Sequence, residues 1–161
     1  MDNSKKTKRK ILVTQALPYA NAPLHLGHIL EAVQSDIWAR FHNLNNNECL
    51  FFCADDTHGT PVMLKANEMG IKPEELIAEV YKDHESTYKL YDINFANFYS
   101  THSDENKKFS EYIYECAKNN NLISKASIEQ YYDKKEKIFL SDRYIKGTCP
   151  KCGACLLYTS D

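Results

Sequence analysis

Two histidines three residues apart, in the stretch HLGH, are the residues of this chain best suited to chemistry on phosphate. His25 and His28 lie on either side of Gly27, where a helix is predicted to begin. A helix N-terminus presents unpaired N–H groups and a partial positive charge, which together bind phosphate oxygens. Gly27 has no β-carbon, so a nucleotide can approach the backbone closely. The pattern predicts a nucleoside triphosphate site in which both imidazoles donate hydrogen bonds and stabilise the charge that grows during displacement at phosphorus.

Two other interpretations of the histidine pair stay open at this point. His-x-x-His can bind a metal ion, but such a site needs a third ligand and groups that orient the first ones. The pair can also consist of two packed histidines with no chemical role. The surrounding order of strand, proline-containing loop, motif and amphipathic helix favours the phosphate site.

A strand and a helix are predicted to position this motif. Residues 10–17 form an apolar, β-branched run, which predicts a strand buried on both faces. Apolar residues recur every four positions over 26–44, which predicts a helix. Its predicted core-facing stripe consists of Ile29, Val33, Ile37 and Phe41.

Further strands and helices follow in alternation. Residues 48–54 predict a second buried strand, and Thr60 is a suitable N-cap for a short helix that ends at Gly70. A longer helix is predicted from Pro73, and a third strand over 98–101. This alternation favours an α/β fold with a parallel sheet and crossover helices.

Two loops are predicted to form the site. In an open parallel sheet ligands bind beyond the carboxyl ends of the strands, where the loops 18–28 and 55–60 begin. The second loop carries Asp55 and Asp56. Turn formation or helix capping is the alternative to a functional role for both, and it weighs more heavily for Asp55.

A different module is predicted to begin near residue 104, with Ser103 capping a helix over 104–119. Short strands around a charged turn are then expected, followed by Cys149 and Cys152 in the run TCPKCGA. This spacing directs two thiolates at one tetrahedral zinc ion, but structural zinc requires four ligands, so the pair is half a site.

Composition excludes several classes of protein. The net charge of −2 does not suit a general polyanion binder. The basic run at residues 5–10 favours a solvated N-terminal arm, assigned to residues 1–9, over a contact with nucleic acid. No apolar run approaches the length of a membrane span, and no secretory signal is recognisable. We therefore expect a cytoplasmic protein whose six cysteines are reduced.

The sequence resembles a known family over residues 10–154. The runs ILVTQALPYANAPLHLGHILEAVQSDIWARF and FFCADDTHGTPVMLKA are similar to the N-terminal part of methionyl-tRNA synthetases, and NFYSTHSDEN and IFLSDRYIKGTCPKCGA extend the resemblance. These enzymes are class I aminoacyl-tRNA synthetases, whose His-Ile-Gly-His signature corresponds to HLGH here. The resemblance implies the first half of a Rossmann-like catalytic domain over 10–103 and the start of a zinc-knuckle insertion over 104–154.

The resemblance also implies the reaction and the roles of the histidines. In the family, methionine and ATP with Mg²⁺ give methionyl-adenylate, and the methionyl group is then transferred to tRNA(Met). By this similarity His25 and His28 are catalytic, and together with Gly27 they bind ATP.

Methionine and zinc sites follow from the same resemblance. Leu17 and Tyr19 would contact the thioether side chain of methionine, and Asp56 would pair with its ammonium group. Cys149 and Cys152 would bind zinc with a second CxxC pair further along the chain. Residues 155–161 depart from the family pattern and are expected to be a non-native tail.

The resemblance limits what the chain is expected to do alone. It lacks the Lys-Met-Ser-Lys-Ser loop, the second half of the nucleotide-binding fold and the anticodon-binding domain, so we expect no aminoacylation from these 161 residues. Three alternatives stay open: a class I synthetase for another apolar amino acid, a small HxGH nucleotidyltransferase, and a non-catalytic zinc-binding or tRNA-associated module.

Overall fold

The computed structural model describes residues 8–134, 138 and 139. In chain order its elements are β1 (Lys10–Thr14), α1 (Leu26–Leu44), β2 (Glu48–Asp55), α2 (Thr60–Met69), α3 (Pro73–Leu90), β3 (Asn97–Ser100), α4 (Asp104–Asn119), β4 (Tyr132–Asp133) and β5 (Ile138–Phe139). Within these residues no helix combines the length and the apolar character that crossing a membrane requires.

A three-stranded parallel sheet in the order β1-β2-β3 confirms the predicted α/β fold. Helix α1 connects β1 to β2, and α2 and α3 connect β2 to β3. In the register, Val13 pairs with Phe51 and Cys53 pairs with Phe98. One core cluster contains buried residues of α1, β2 and α3 and the segment that follows: Ile29, Ala32, Ala39, Cys49, Phe51, Tyr88 and Ile93.

Strand β1 differs from its prediction in length and in burial. It ends at Thr14 rather than at residue 17, because the N–H of Ala16 donates to the side chain of Glu31 instead of to β2. It is also not buried on both faces, since Leu12 is 69% exposed and its partner in the register, Leu50, is 44% exposed. The buried cluster lies against the opposite face, where Val13 and Phe51 pair.

Helix α1 has the predicted bounds, but its predicted core stripe is only half correct: Ile29 is buried and Val33 packs against the core, as predicted. Ile37 and Phe41 are 61% and 58% exposed, and the buried positions are Ile29, Ala32, Asp36 and Ala39. Alanines permit a close approach of the helix to the sheet. Asp36 is buried because its carboxylate accepts from Arg40 and, at 3.1 Å, from the backbone N–H of Asn94. A paired acid and two small residues thus replace the large apolar side chains expected there.

The remaining helix ends follow local rules with one exception. Helix α2 ends at Gly70, whose φ of +68° confirms the predicted C-cap. Its N-cap, however, is Gly59 with a φ of +108°, so Thr60 belongs to the first turn and is not the cap. The Ser103 hydroxyl accepts from the N–H of Asn106 at 3.2 Å, as predicted for the start of α4.

The chain divides into two compact units, the first ending at Tyr112 and the second beginning at Ile113. This division falls within α4, beyond the boundary at residue 104 expected from the sequence. In the second unit β4 and β5 pair antiparallel, as the predicted short strands around a turn require. Cys149, Cys152 and the tail 155–161 lie outside the described residues.

The role of Asp36 can be tested by Asp36→Ala. The change leaves the N–H of Asn94 without its partner, so we expect the free energy of unfolding of the chain to fall by about 1–3 kcal/mol in urea denaturation. Glu68→Ala is the control, because Glu68 is exposed in its ion pair with Lys65 and should show no measurable change. Equal stability of both variants would contradict the assignment.

Candidate functional site

Three loops leave the carboxyl edge of the sheet next to one another, because β1, β2 and β3 are parallel neighbours. They begin after Thr14, Asp55 and Ser100. The second and third loops are joined directly: Thr57 donates its backbone N–H to the Thr101 hydroxyl at 2.9 Å, and the two hydroxyls are 2.8 Å apart. This edge is where α/β sheets bind their ligands.

The histidine motif forms the N-terminal cap of α1. The Nδ1 atom of His25 accepts from the backbone N–H groups of Gly27, at 3.1 Å, and of His28, at 3.4 Å. In return the His28 Nδ1 atom accepts from the backbone N–H of His25 at 3.3 Å. The two imidazoles therefore cap the helix reciprocally, as a Ser–Glu capping box does.

This cap changes the expectation that backbone N–H groups of the helix end bind phosphate. The N–H groups of Gly27 and His28 already donate to the His25 ring, and that of Ile29 donates to the His25 carbonyl at 3.2 Å. Besides the N–H of Leu26, the donors left for an anion at this helix end are on the rings. A ring nitrogen that accepts carries no proton, so in each neutral imidazole the proton is on Nε2. The cap thus supplies two Nε2–H donors without protonating either ring.

The rings are stacked and reachable from solvent. Their centroids are 3.6 Å apart with an angle of 16° between the ring planes. His25 is exposed and His28 is half-buried, so neither ring is turned into the core. Burial lowers the pKa of His28, and the nearby His25 and His84 lower it further, although Glu31 opposes them. His28 is therefore neutral near pH 7, as the cap requires.

Gly27 is needed for a reason that the sequence did not indicate. A β-carbon at this position would lie 2.9 Å from Cε1 and 3.1 Å from Nδ1 of the His25 ring. The space is occupied by the capping imidazole itself. The absence of a side chain at Gly27 therefore makes room for the capping ring of His25, in addition to the close approach of a nucleotide that the sequence predicts.

The loop between β1 and α1 is held to other elements by its backbone. The N–H of Ala16 donates to Glu31 Oε1 at 2.8 Å. The backbone N–H of Asp56 donates to the Pro18 carbonyl at 2.8 Å, and the backbone carbonyl of Asp56 accepts from the N–H of Ala20 at 2.9 Å. Ala20 is fully buried in a cluster with residues of α2 and α3, namely Val62, Ala66, Leu76, Ile77 and Val80. These contacts fix the course of the loop that contains Leu17 and Tyr19.

Leu17, Tyr19 and Asp56 are brought together at this edge. Tyr19 and Asp56 form a parallel bridge, and the side chains of Leu17 and Tyr19 are 42% and 44% exposed. Asp56 is half-buried, and its carboxylate makes no hydrogen bond or ion pair within the described residues. An accessible aromatic and aliphatic surface beside an unpaired carboxylate suits a ligand with an apolar part and a cationic group.

The other acid of the second loop, Asp55, has a different environment. It is fully buried, and its Oδ1 atom is 2.8 Å from Nδ1 of His84, which is also fully buried. The opposite nitrogen, Nε2, is 2.8 Å from the carbonyl oxygen of Ala22 in the first loop. Asp55 is thus neither a helix cap nor a turn former, which corrects the alternative considered for it.

His84 is the site residue that the sequence analysis missed. It lies on α3 in line with the buried residues Ile77, Val80 and Tyr88, at helical spacing. A histidine within an apolar stripe needs a buried partner. That signal was available in the sequence, but it does not identify Asp55, which is 29 residues away.

The interpretation of HLGH as a metal site gains no support from the described part of the chain. No group of three or more His, Cys, Asp or Glu side chains there is arranged to hold a metal ion. Both Nδ1 atoms of the motif are used in the cap. Cys149 and Cys152 are outside this part and stay a prediction.

Gly27→Ala tests the cap. Alanine is favoured over glycine within a helix by about 1 kcal/mol. Here, however, the added carbon must displace the His25 ring, so we expect no gain in stability. We also expect the ring-current shifts of the stacked His25 and His28 protons to move toward their random-coil values in NMR spectra. Gln34→Ala, on an exposed position of α1, is the control. Unchanged ring shifts in Gly27→Ala would contradict the cap.

Comparison with known sequences gives close relatives. Methionine–tRNA ligase of Leptospira biflexa is 58% identical over 146 residues, which are 91% of this chain and 21% of the relative. Methionine–tRNA ligase of Bdellovibrio bacteriovorus is 54% identical over 147 residues with the same coverage. The chain spans about a fifth of the length of these curated relatives.

Solved structures show the same fold. Mycobacterium tuberculosis methionyl-tRNA synthetase in complex with methionyl-adenylate has a TM-score of 0.75 at 21% identity, over 94% of this chain and 31% of that chain. The LeuRS of Agrobacterium radiobacter, in a ternary complex with tRNA and LeuAMS, has a TM-score of 0.73 at 21% identity, over 94% of this chain and 20% of that chain. The family model described as tRNA synthetases class I (M) matches residues 11–157. The chain belongs to this family of class I tRNA synthetases.

Proposed function

We propose that this chain is the N-terminal part of a methionine–tRNA ligase, which activates methionine with ATP and transfers it to tRNA(Met). The observation that carries the proposal is the identity of 54–58% to curated methionine–tRNA ligases over 91% of the chain. This identity also favours methionine over another apolar amino acid. The side chains gathered at the carboxyl edge of the sheet support the same reaction.

His25, Gly27 and His28 form the proposed ATP-binding and catalytic group. The Nε2–H donors of the two neutral rings would bind phosphate oxygens of ATP. In adenylate formation the methionine carboxylate attacks the α-phosphorus, pyrophosphate leaves, and negative charge grows on the oxygens in between. Donors that the cap holds in place need no reorganisation as this charge develops. Gly27 leaves room for the ring of His25.

Leu17, Tyr19 and Asp56 form the proposed methionine site. The exposed parts of Leu17 and Tyr19 would contact the polarizable thioether. The Asp56 carboxylate would pair with the ammonium group, which places the substrate carboxylate for attack. The backbone bonds of Asp56 to Pro18 and Ala20 support this assignment, because one residue then fixes both the loop and the ligand.

Metal ions enter the proposal in two ways. Mg²⁺ would arrive bound to the phosphates of ATP and neutralise part of their charge. Cys149 and Cys152 would supply two thiolates of a structural zinc site, whose other two ligands come from elsewhere. The proposed setting is the cytoplasm, where these thiols stay reduced.

His25→Asn separates capping from catalysis, because asparagine is among the best N-cap residues. In the full-length protein that carries this chain, we expect methionine-dependent ATP–pyrophosphate exchange to fall about 100-fold or more. The melting temperature should be unchanged. His42→Asn, at the other end of α1, is the control and should retain the exchange activity. Full activity of His25→Asn would refute a catalytic role for this ring.

Asp56→Asn tests the ammonium partner. The substitution preserves the backbone bonds to the loop and removes the charge, so the KM for methionine should rise about tenfold or more. The KM for ATP should change much less. Glu79→Gln, an exposed carboxylate on α3, serves as the matched control in the same exchange assay. An equal rise in both Michaelis constants would argue against the assignment.

A further inference from the structure

His84 is a buried ionisable side chain that the proposed reaction does not use. It is fully buried, and so is its partner Asp55. Its two ring nitrogens have different acceptors: the Asp55 carboxylate, and the carbonyl oxygen of Ala22, three residues before His25. The ring therefore joins the end of β2, helix α3 and the loop that leads into the HLGH motif.

The two acceptors determine the protonation of the ring. A carbonyl oxygen only accepts, so Nε2 donates to Ala22, and the Asp55 carboxylate accepts from Nδ1. With the Asp55 carboxylate ionised, both bonds exist together only in the imidazolium form. A neutral ring must give up one of them, and the carboxylate is the stronger acceptor. Loss of the proton therefore releases the carbonyl of Ala22.

We infer that His84, as an imidazolium paired with Asp55, is a positioning residue that holds the loop 17–22 in the conformation that binds methionine. The inference rests on the proposed function, because Leu17 and Tyr19 belong to this loop. The other backbone bonds of the loop, to Glu31 and Asp56, lie before Ala22. Among the described residues, the contact of His84 with Ala22 is thus the polar contact of this loop that lies nearest to the histidine motif.

The charges around His84 favour the imidazolium. Burial lowers its pKa, but the hydrogen bonds to Asp55 and Ala22 and the charges of Asp55 and Asp83 outweigh burial, so the pKa is raised. Within the part of the chain that the structure describes, His28 on α1 is the other ionisable group that interacts with His84, and the imidazolium lowers the pKa of the His28 ring. A raised pKa means that the contact is complete below the ordinary value of about 6.5 and is lost as pH rises through the raised value.

The test uses the full-length protein and methionine-dependent ATP–pyrophosphate exchange. Glutamine carries its donors on a single nitrogen, which cannot reach both the Asp55 carboxylate and the Ala22 carbonyl as the two ring nitrogens do. In His84→Gln we therefore expect the KM for methionine to rise about tenfold and the KM for ATP less than about threefold. In the wild type the KM for methionine should rise with pH through the raised pKa, and in His84→Gln it should stay level. His42→Gln is the control and should match the wild type.

A second variant keeps the inference open to refutation if His84→Gln does not fold. Asp55→Asn preserves an acceptor for Nδ1 and removes the charge that supports the imidazolium. We expect the pH at which the KM for methionine rises to fall by about one unit or more. An unmoved pH profile in Asp55→Asn would overturn the inference, as would a KM for methionine in His84→Gln equal to that of the control.

Hydrogen exchange measured by mass spectrometry gives a readout that does not depend on activity. The peptide that covers residues 16–24 should exchange about tenfold faster in His84→Gln than in the wild type and the His42→Gln control. Unchanged exchange would overturn the positioning role. A wild-type protein without methionine-dependent exchange of pyrophosphate would instead refute the proposed function, and the loop measurement would still decide whether His84 holds the loop.

Discussion

The site depends on how the backbone of one loop satisfies its hydrogen bonds. Between Thr14 and Leu26 the chain has left β1 and not yet entered α1, so its N–H and carbonyl groups have no regular partners. They bond instead to the side chain of Glu31, to the backbone of Asp56 and to the ring of His84. Three separate parts of the chain thereby hold one segment, and Leu17 and Tyr19 of the proposed methionine site lie within it.

The order of elements could be predicted because it depends on local signals. Alternating apolar runs, glycine at a helix end and serine at a helix start gave the parallel sheet and most helix bounds. The burial of α1 could not be predicted in the same way. The pattern of large apolar residues pointed to Ile37 and Phe41, whereas the core is formed through alanines and Asp36. A carboxylate becomes a core residue only when its partners, Arg40 and the N–H of Asn94, are known.

In the candidate site, too, features set by neighbouring residues could be predicted, and contacts between residues far apart in sequence could not. HLGH is a local motif, and its position at a helix start was read from the sequence. That its rings cap each other was not, because the usual capping residues are smaller and lack an imidazole. The contact of His84 with Ala22 joins residues 62 positions apart, and no spacing rule within one element reveals such a pair. Residues this far apart in sequence come into contact because of the crossover topology of the fold.

The glycine of the motif has a consequence for how substitutions combine. The atom that excludes a β-carbon at position 27 belongs to the ring at position 25, so the two positions are energetically coupled. With a small capping residue at 25 the obstruction disappears, and glycine would no longer be required for packing. The constraint on Gly27 is therefore conditional: it holds as long as an imidazole, and not a smaller acceptor, closes the first turn of α1.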